Sequence, residues 1–204
     1  MGSGFARFFP TELKNTGTGT NYGVEVTLQK FFDNSFYFLF SGTLFDSKYV
    51  ASDGIERNTS YNGNYIANLL AGKEFKIGDK NTLSLGFKGT YAGGKLYGPV
   101  DVVQSAYLQE VIFLNDGFNS LQFPDYLRID AKINWKLNAD KVTHEIGLDL
   151  VNITGRQNLL GLSYAPDLFD PTATPTAERY QLGFLPIFYY RADFRIARGK
   201  HTPE

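Results

Sequence analysis

The chain has 204 residues, with 20 Lys+Arg against 21 Asp+Glu and a formal charge of -1. That balance excludes the basic excess of a nucleic-acid-binding domain, and the absence of Cys excludes a disulfide framework, thiol catalysis and a Cys-ligated zinc. A hydrophobic fraction of 43% excludes a wholly disordered chain, and 16% aromatic residues with 21 Gly and a single Met favour β-structure.

Met1-Gly2-Ser3-Gly4 lacks the basic start and apolar stretch of a signal peptide and reads as a leader, or as the start of a truncated open reading frame. No apolar run approaches the ~20 residues of a membrane helix. The longest charge-free apolar stretch, Asn34 to Phe45, is too short and contains Gly42. A membrane crossing by this chain therefore has to use strands.

Period-two alternation follows, segment after segment. Tyr22, Val24, Val26 and Leu28 oppose Gly23, Glu25, Thr27 and Gln29. Phe36, Phe38, Phe40 and Leu44 oppose Tyr37, Ser41 and Thr43, with Leu39 as an exception. Tyr65, Ala67, Leu69, Ala71 and Phe75 oppose Asn68, Gly72 and Glu74, with Ile66, Leu70 and Lys73 breaking the pattern. Leu83, Leu85, Phe87 and Tyr91 oppose Ser84, Gly86, Lys88 and Thr90. Leu127, Ile129, Ala131, Ile133, Trp135 and Leu137 oppose Arg128, Asp130, Lys132, Asn134 and Lys136 without a break. Ile146, Leu148 and Leu150 oppose Glu145, Gly147 and Asp149. Tyr190, Ala192, Phe194 and Ile196 oppose Tyr189, Arg191, Asp193 and Arg195. These are seven predicted strands; a candidate eighth lies around Phe5 to Phe9.

Short links at Asp33-Asn34, Gly78 to Asn81 and Asn138 to Lys141 alternate with long ones at Asp46 to Gly63, Gly93 to Pro124 and Ile153 to Arg179. The pattern predicts an all-β, antiparallel up-and-down meander with short turns at one end and long loops at the other. Outer-membrane barrels have that asymmetry. Periodicity alone leaves a soluble, lipocalin-like ligand-binding barrel open as well. Three features favour lipid on the apolar face. They are the loop asymmetry, the mixed charged and small residues of the other face, and Phe31, Phe32, Phe36, Phe75, Trp135 and Phe194 near the short turns, where an interfacial girdle belongs.

Candidate chemistry is sparse. Gly17, Gly19 and Gly23 precede a strand, whereas a dinucleotide loop needs a helix N-terminus; they read as a bent strand end. His144 stands beside Glu145 next to a short turn, and His201 is in the tail, neither with a visible catalytic partner. Asp46, Asp53, Glu56, Asp167, Asp170 and Glu178 lack calcium-loop spacing and read as solvated loop charge. The expectation is no catalytic residue, no metal and no cofactor. The strand positions Glu25, Glu74, Lys88, Arg128, Asp130, Lys132, Glu145 and Asp149 share one side and mix both signs. They read as lumen-facing ion pairs, since charge in a narrow interior must be paired.

Several blocks carry a family resemblance. They are Asn15-Thr16-Gly17-Thr18-Gly19-Thr20-Asn21-Tyr22-Gly23-Val24-Glu25, Leu44-Phe45-Asp46-Ser47-Lys48-Tyr49, Asn58-Thr59-Ser60-Tyr61-Asn62-Gly63-Asn64-Tyr65 and Asn68 to Phe75. Further on come Thr90-Tyr91-Ala92-Gly93-Gly94, Pro124 to Asp130, Asp149-Leu150-Val151-Asn152-Ile153-Thr154-Gly155-Arg156-Gln157-Asn158, Tyr180 to Pro186 and Tyr190 to Phe194. Their order and spacing resemble the C-terminal part of the barrel of TonB-dependent outer-membrane receptors of the Bacteroidetes type. The resemblance implies a transmembrane segment of seven to eight strands, part of or derived from a 22-stranded receptor barrel. It implies a bacterial outer-membrane location and a role as wall and extracellular loops of a solute-uptake transporter. The implied partners are outer-membrane lipid and the barrel assembly machinery and, in a full-length parent, a plug domain and TonB. Ligand recognition would lie in the long loops, at Tyr49, Tyr61, Tyr97, Tyr107, Phe113, Phe118, Phe123 and Phe169. The family usually ends on an aromatic residue, whereas here Arg195 to Glu204 follow Phe194. A small closed structural barrel without transport activity is the alternative. The expected organisation is a leader with a candidate first strand over 1–14, a barrel segment over 15–196 and a polar tail over 197–204.

Overall fold

A segment that places every second residue in an apolar environment has one regular backbone solution, the pleated strand. The computed structural model describes residues 16–170 and 173–194 and builds a strand on each of the seven alternating segments. In chain order the elements are β1 (Thr18–Asp33), β2 (Phe36–Val50), β3 (Glu56–Asn58), β4 (Tyr65–Ile77), β5 (Asn81–Ala92), β6 (Leu96–Tyr97) and α1 (Val102–Leu108). Then follow β7 (Leu121–Gln122), β8 (Tyr126–Asn138), β9 (Val142–Val151), β10 (Leu159–Tyr164), β11 (Thr176–Tyr180) and β12 (Leu185–Phe194). The main sheet is an antiparallel meander in the order β1-β2-β4-β5-β8-β9-β12, with β3 paired to β2. The candidate strand around Phe5 to Phe9, and the positions Arg195, Ile196 and His201, lie outside the described residues.

The short links are tight for local reasons. Asp33 pairs with Phe36, and the two residues between them, Asn34 and Ser35, have φ of 51° and 62°. Two consecutive positive φ values make the turn whose twist matches a hairpin. Gly78, at φ 63°, opens the β4–β5 turn, and Ala139 N–H donates to Val142 O at 3.0 Å in the β8–β9 turn. All three turns lie at one end of the sheet, and the long connections lie at the other.

The register assigns the faces. Leu85, Ile133, Leu148 and Phe188 form one cross-strand row, as do Phe75, Leu83, Trp135, Ile146 and Tyr190. Gly86, Lys132, Asp149 and Ile187 form a row on the opposite side. Two of the sequence exceptions find each other, because Leu39 pairs directly with Leu70 on the polar face. Lys73 falls on the apolar face, between Phe36 and Leu85.

Among the described residues no second layer covers the apolar face. Leu44, Ile146 and Phe188 on it are 67%, 62% and 74% exposed. Among the described residues the buried apolar side chains are Leu96 and Phe123, both in a long connection. Among the described residues the sheet is open, with β1 and β12 as its edges and no pairing between them.

Of the aromatic residues expected near the short turns, Phe36, Phe75, Trp135 and Phe194 are on the apolar face. Phe32 is not. A one-residue bulge between Lys30 and Asp33 brings its ring to within 6.3 Å of the Tyr37 ring, on the polar side.

Candidate functional site at the long-loop rim

The first long connection folds back on its own strand, with β3 pairing Lys48 to Asn58 and Tyr49 to Arg57. Asn62, 3% exposed, replaces missing backbone partners here: its Oδ1 accepts from Ser47 N–H at 2.9 Å, and its Nδ2 donates to Asp46 at 2.7 Å and Asn58 at 3.0 Å. Arg57 grips both oxygens of Asp53, at 3.0 and 2.7 Å. That bidentate pair, helped by the Ile55 N–H, lowers the Asp53 carboxyl to about 2.

The second connection docks onto the first. Gly93 N–H donates to Tyr65 O at 3.0 Å, Leu96 N–H to Ser60 O at 2.8 Å, and Asn119 Nδ2 to Asn58 O at 2.7 Å. Gly63 and Gly93 let the two backbones touch, since a Cβ on either would run into the carbonyl of the other. Inside this connection Tyr97 stacks on Phe123 with centroids 4.1 Å apart, and Phe113 lies 6.2 Å from Tyr97 and 6.4 Å from Phe118. The helix α1 begins where Asp101 accepts from Gln104 N–H and ends at Gln109 in the left-handed region.

The third connection is clasped to the strand ends by asparagines. Asn152, 1% exposed and at φ 52°, takes Asp130 Oδ1 on its backbone N–H at 2.8 Å and donates its amide to Arg156 O at 2.9 Å. Asn158 extends the β8 ladder with its side chain, accepting from Leu127 N–H at 3.0 Å and donating to Leu127 O at 2.9 Å. Arg156 reaches Asp125 O at 2.9 Å. Asp125 itself accepts from the hydroxyls of Tyr65 and Tyr91, both at 2.6 Å, and these bonds hold its carboxyl below the usual range. The connection then runs out as the β10–β11 hairpin. All three connections are thus joined, directly or through strand ends, into one rim.

A cleft of about 450 Å³ opens between the first two connections. It is lined by Lys48, Ile55, Glu56, Arg57, Asn58, Asp116, Phe118 and Asn119, among others. Lys48 bridges Asp46 at 3.5 Å and Glu56 at 3.6 Å. The walls therefore combine one aromatic ring with charges of both signs and a carboxamide, a set that suits a polar ligand with an apolar side.

Of the loop aromatics expected from the sequence, Phe118 lines this cleft and Tyr49 is the cross-strand partner of Arg57 beside it. Tyr61 is 74% exposed, with Lys95 Nζ 5.3 Å above its ring, and Tyr97 packs into the ring cluster behind Phe118. Tyr107 projects from α1, and Phe169 projects from the β10–β11 connection; among the described residues neither ring contacts another. Lys48, Arg57, Asp116 and Asn119 were not expected here, and in the sequence only their position within a long link marks them.

Most charges of the polar face stand in pairs. Arg128 lies 2.8 Å from Asp130, Lys132 3.3 Å from Asp149, and Arg191 2.7 Å from Glu145, which is also 3.9 Å from Lys136. Lys88 is the cross-strand neighbour of Asp130. Glu25 and Glu74, expected in ion pairs, have none among the described residues and accept instead from the Thr27 and Ser84 hydroxyls. A hollow of about 320 Å³ on this face is lined by Tyr37, Leu70, Lys88, Arg128, Asp130, Lys132, Asp149 and neighbours.

The remaining candidates have structural settings. His144 points to the apolar face, away from Glu145, and a 2.7 Å hydrogen bond joins its Nδ1 to the Tyr190 hydroxyl. Gly19 and Gly23 lie inside β1, where a Cβ on Gly23 would meet Leu44 O at 2.5 Å. Among the described residues no three His, Asp or Glu side chains gather as a metal site. Asp167 accepts from Phe169 N–H, and Glu178 from the Tyr180 hydroxyl.

A meander of long strands with a bare apolar face, a paired polar face, short turns below and docked loops above is a β-barrel wall of the bacterial outer membrane. The family model described as TonB dependent receptor-like, beta-barrel, matches residues 2–159, and the chain belongs to that family. No curated protein and no solved structure matches it. The family is one of receptors and transporters, and its full-length members work with a plug domain and TonB. Beyond the matched residues, β12 continues the sheet by pairing with β9 along its whole length.

Proposed function

We propose that the chain forms wall and extracellular loops of a solute-uptake transporter. Its apolar face meets hydrocarbon, and its polar face, with Glu25, Glu74, Lys88, Arg128, Asp130, Lys132 and Asp149, lines the lumen. Ligand contacts come from the loop aromatics Tyr49, Tyr61, Tyr97, Tyr107, Phe118 and Phe169, with Phe118 at the cleft it shares with Arg57 and Lys48. The observation that carries this reading is the docking of the first two long connections through Gly63 and Gly93, which leaves a preformed cleft at the loop end of a membrane wall. A transporter needs such a rim, whereas a purely structural barrel gains nothing from it.

The test is uptake by the receptor that contains this chain, with residues 94–123 deleted. Cells are supplied with one carbon or iron source at a time. Loss of growth on a source that the intact receptor supports is expected. Unchanged growth on every source the receptor supports would overturn the reading.

A further inference from the structure

Among the described residues only two lysines lie on the apolar face in the half of the sheet near the short turns, Lys30 and Lys73. Lys30 is held by Asp33, 3.4 Å away at the turn. Lys73 is exposed and has no carboxylate partner among the described residues. Its cross-strand neighbours are Phe36 and Leu85, and its ammonium lies 5.1 Å from the centre of the Phe75 ring. Phe75 is two residues nearer the short turn, so the ammonium is drawn toward that end of the strand.

Position and reach fit the membrane boundary. Lys73 is four residues from the end of β4 at Ile77. That is about 13 Å along the strand, or about 10 Å of depth at the usual barrel tilt. A lysine stem buried along apolar surface carries its charge outward by several ångströms, which brings the ammonium from the hydrocarbon edge to the headgroup level. Trp135 lies in the same row as Phe75 and gives its indole N–H to Asn81 Oδ1 at 3.0 Å, an amphipathic ring of the kind that sits at the interface. A cation without a carboxylate partner, bordered by Phe36 and Phe75 and aimed at the periplasmic headgroups, has one abundant counter-charge available there.

We propose that Lys73 binds the phosphate of a glycerophospholipid of the periplasmic leaflet, with Phe36 and Phe75 against the upper acyl chains. The site rests on the reading that the apolar face meets lipid.

The test is native mass spectrometry of the purified, folded receptor in mild detergent, titrated with phosphatidylglycerol, with uncharged diacylglycerol and with inorganic phosphate. Lys73→Gln is expected to weaken phosphatidylglycerol binding about fivefold, the loss of one lysine at a charged headgroup. Lys73→Arg keeps the binding, and Lys76→Gln, on the polar face of the same strand, leaves it unchanged. If Lys73→Gln does not fold, as read by heat-shifted gel mobility, Lys73→Met with its hydrocarbon-compatible stem gives the same reading. Equal binding by wild type and either neutral variant overturns the site. Equal retention of diacylglycerol and phosphatidylglycerol by wild type also overturns it, because the phosphate would then be irrelevant. Displacement of the lipid by equimolar inorganic phosphate would mark a free-anion site and overturn the lipid assignment. The underlying facing is judged separately by Ile133→Arg: if that change is harmless, lipid on the apolar face is wrong. If Ile133→Arg is damaging and Lys73→Gln binds normally, only the lipid site fails.

Discussion

The ring of Tyr189 lies across Gly147 on the neighbouring strand, in the space where a Cβ on that glycine would stand. Its hydroxyl donates to Asn134 Oδ1 at 2.8 Å, one strand further on, and Lys132 Nζ sits 4.9 Å from the ring centre. One tyrosine of β12 thereby binds three strands on the polar face. Tyr37 likewise lays its ring over Gly72 at the other side of the sheet.

Gly147→Ala is therefore expected to destabilise the folded barrel by about 1–3 kcal/mol, the usual cost of overpacking. Gly161→Ala, where nothing lies within 4 Å of the added methyl, is the control and should cost far less. Urea titration of the folded receptor in lipid vesicles measures both. Tyr189→Phe keeps the ring over Gly147 and should cost only about 0.5–1.5 kcal/mol for the lost hydroxyl bond.

The facing of the sheet predicts an order of effects at two adjacent residues. Ile133 sits between Leu85 and Leu148 on the apolar face, and Lys132 sits between Gly86 and Asp149 on the other. Ile133→Arg should cost roughly 2–4 kcal/mol if it meets the middle of the bilayer. Lys132→Leu should cost less, because it puts no charge into lipid and the Asp149 side chain it leaves is 33% exposed overall, although its buried Oδ1 loses the nearby ammonium. Folding titrations in vesicles would show the reverse order if the faces were assigned the wrong way round.

The Asp53–Arg57 pair predicts a pH response confined to the β2–β3 arm. The folded Asp53 carboxyl lies near 2, below its ordinary 3.8. A lowered folded value means that the pair's contribution is fully present above the ordinary value and fades as pH falls through about 2. Carbon NMR of the Asp53 carboxyl should show that low midpoint. In Arg57→Ala the midpoint should rise toward 3.8, and an unmoved midpoint would show that the guanidinium is not the cause.

Asn158 supplies both hydrogen bonds that Leu127 lacks from a neighbouring strand. Asn158→Ala should cost about 1–3 kcal/mol for two lost bonds at a buried side chain, and should speed hydrogen exchange at the Leu127 amide. Asn158→Asp keeps the acceptor for Leu127 N–H, so its exchange at that amide should stay closer to wild type. Exchange mass spectrometry of peptides across 124–130 separates the two.

How much of this was legible follows from length. Each of the seven long strands spans at least three apolar–polar alternations, and strict alternation over Leu127 to Leu137 admits no other regular structure. The elements β3, β6 and β7 are two or three residues long, too short to show any period. The β10–β11 hairpin was hidden in a stretch whose Gly, Asp and Pro residues read as loop. The bulge at Phe31-Phe32 moves one ring to the other face through a single inserted residue, which alternation cannot register. The rim was legible only as three long links. Its asparagines act by replacing backbone partners, and that role exists only once the links have folded against the strands.

The meander has a consequence for how the chain reaches its final form. Every long strand pairs with the long strand next to it in sequence. Each hairpin can therefore complete its own ladder before the next is synthesised or inserted, and even the longest connections add little to the entropy of closing a pair, since that cost grows only with the logarithm of loop length. Assembly can proceed as a series of local zippering steps, with no search for a distant mate until the last edge is sealed.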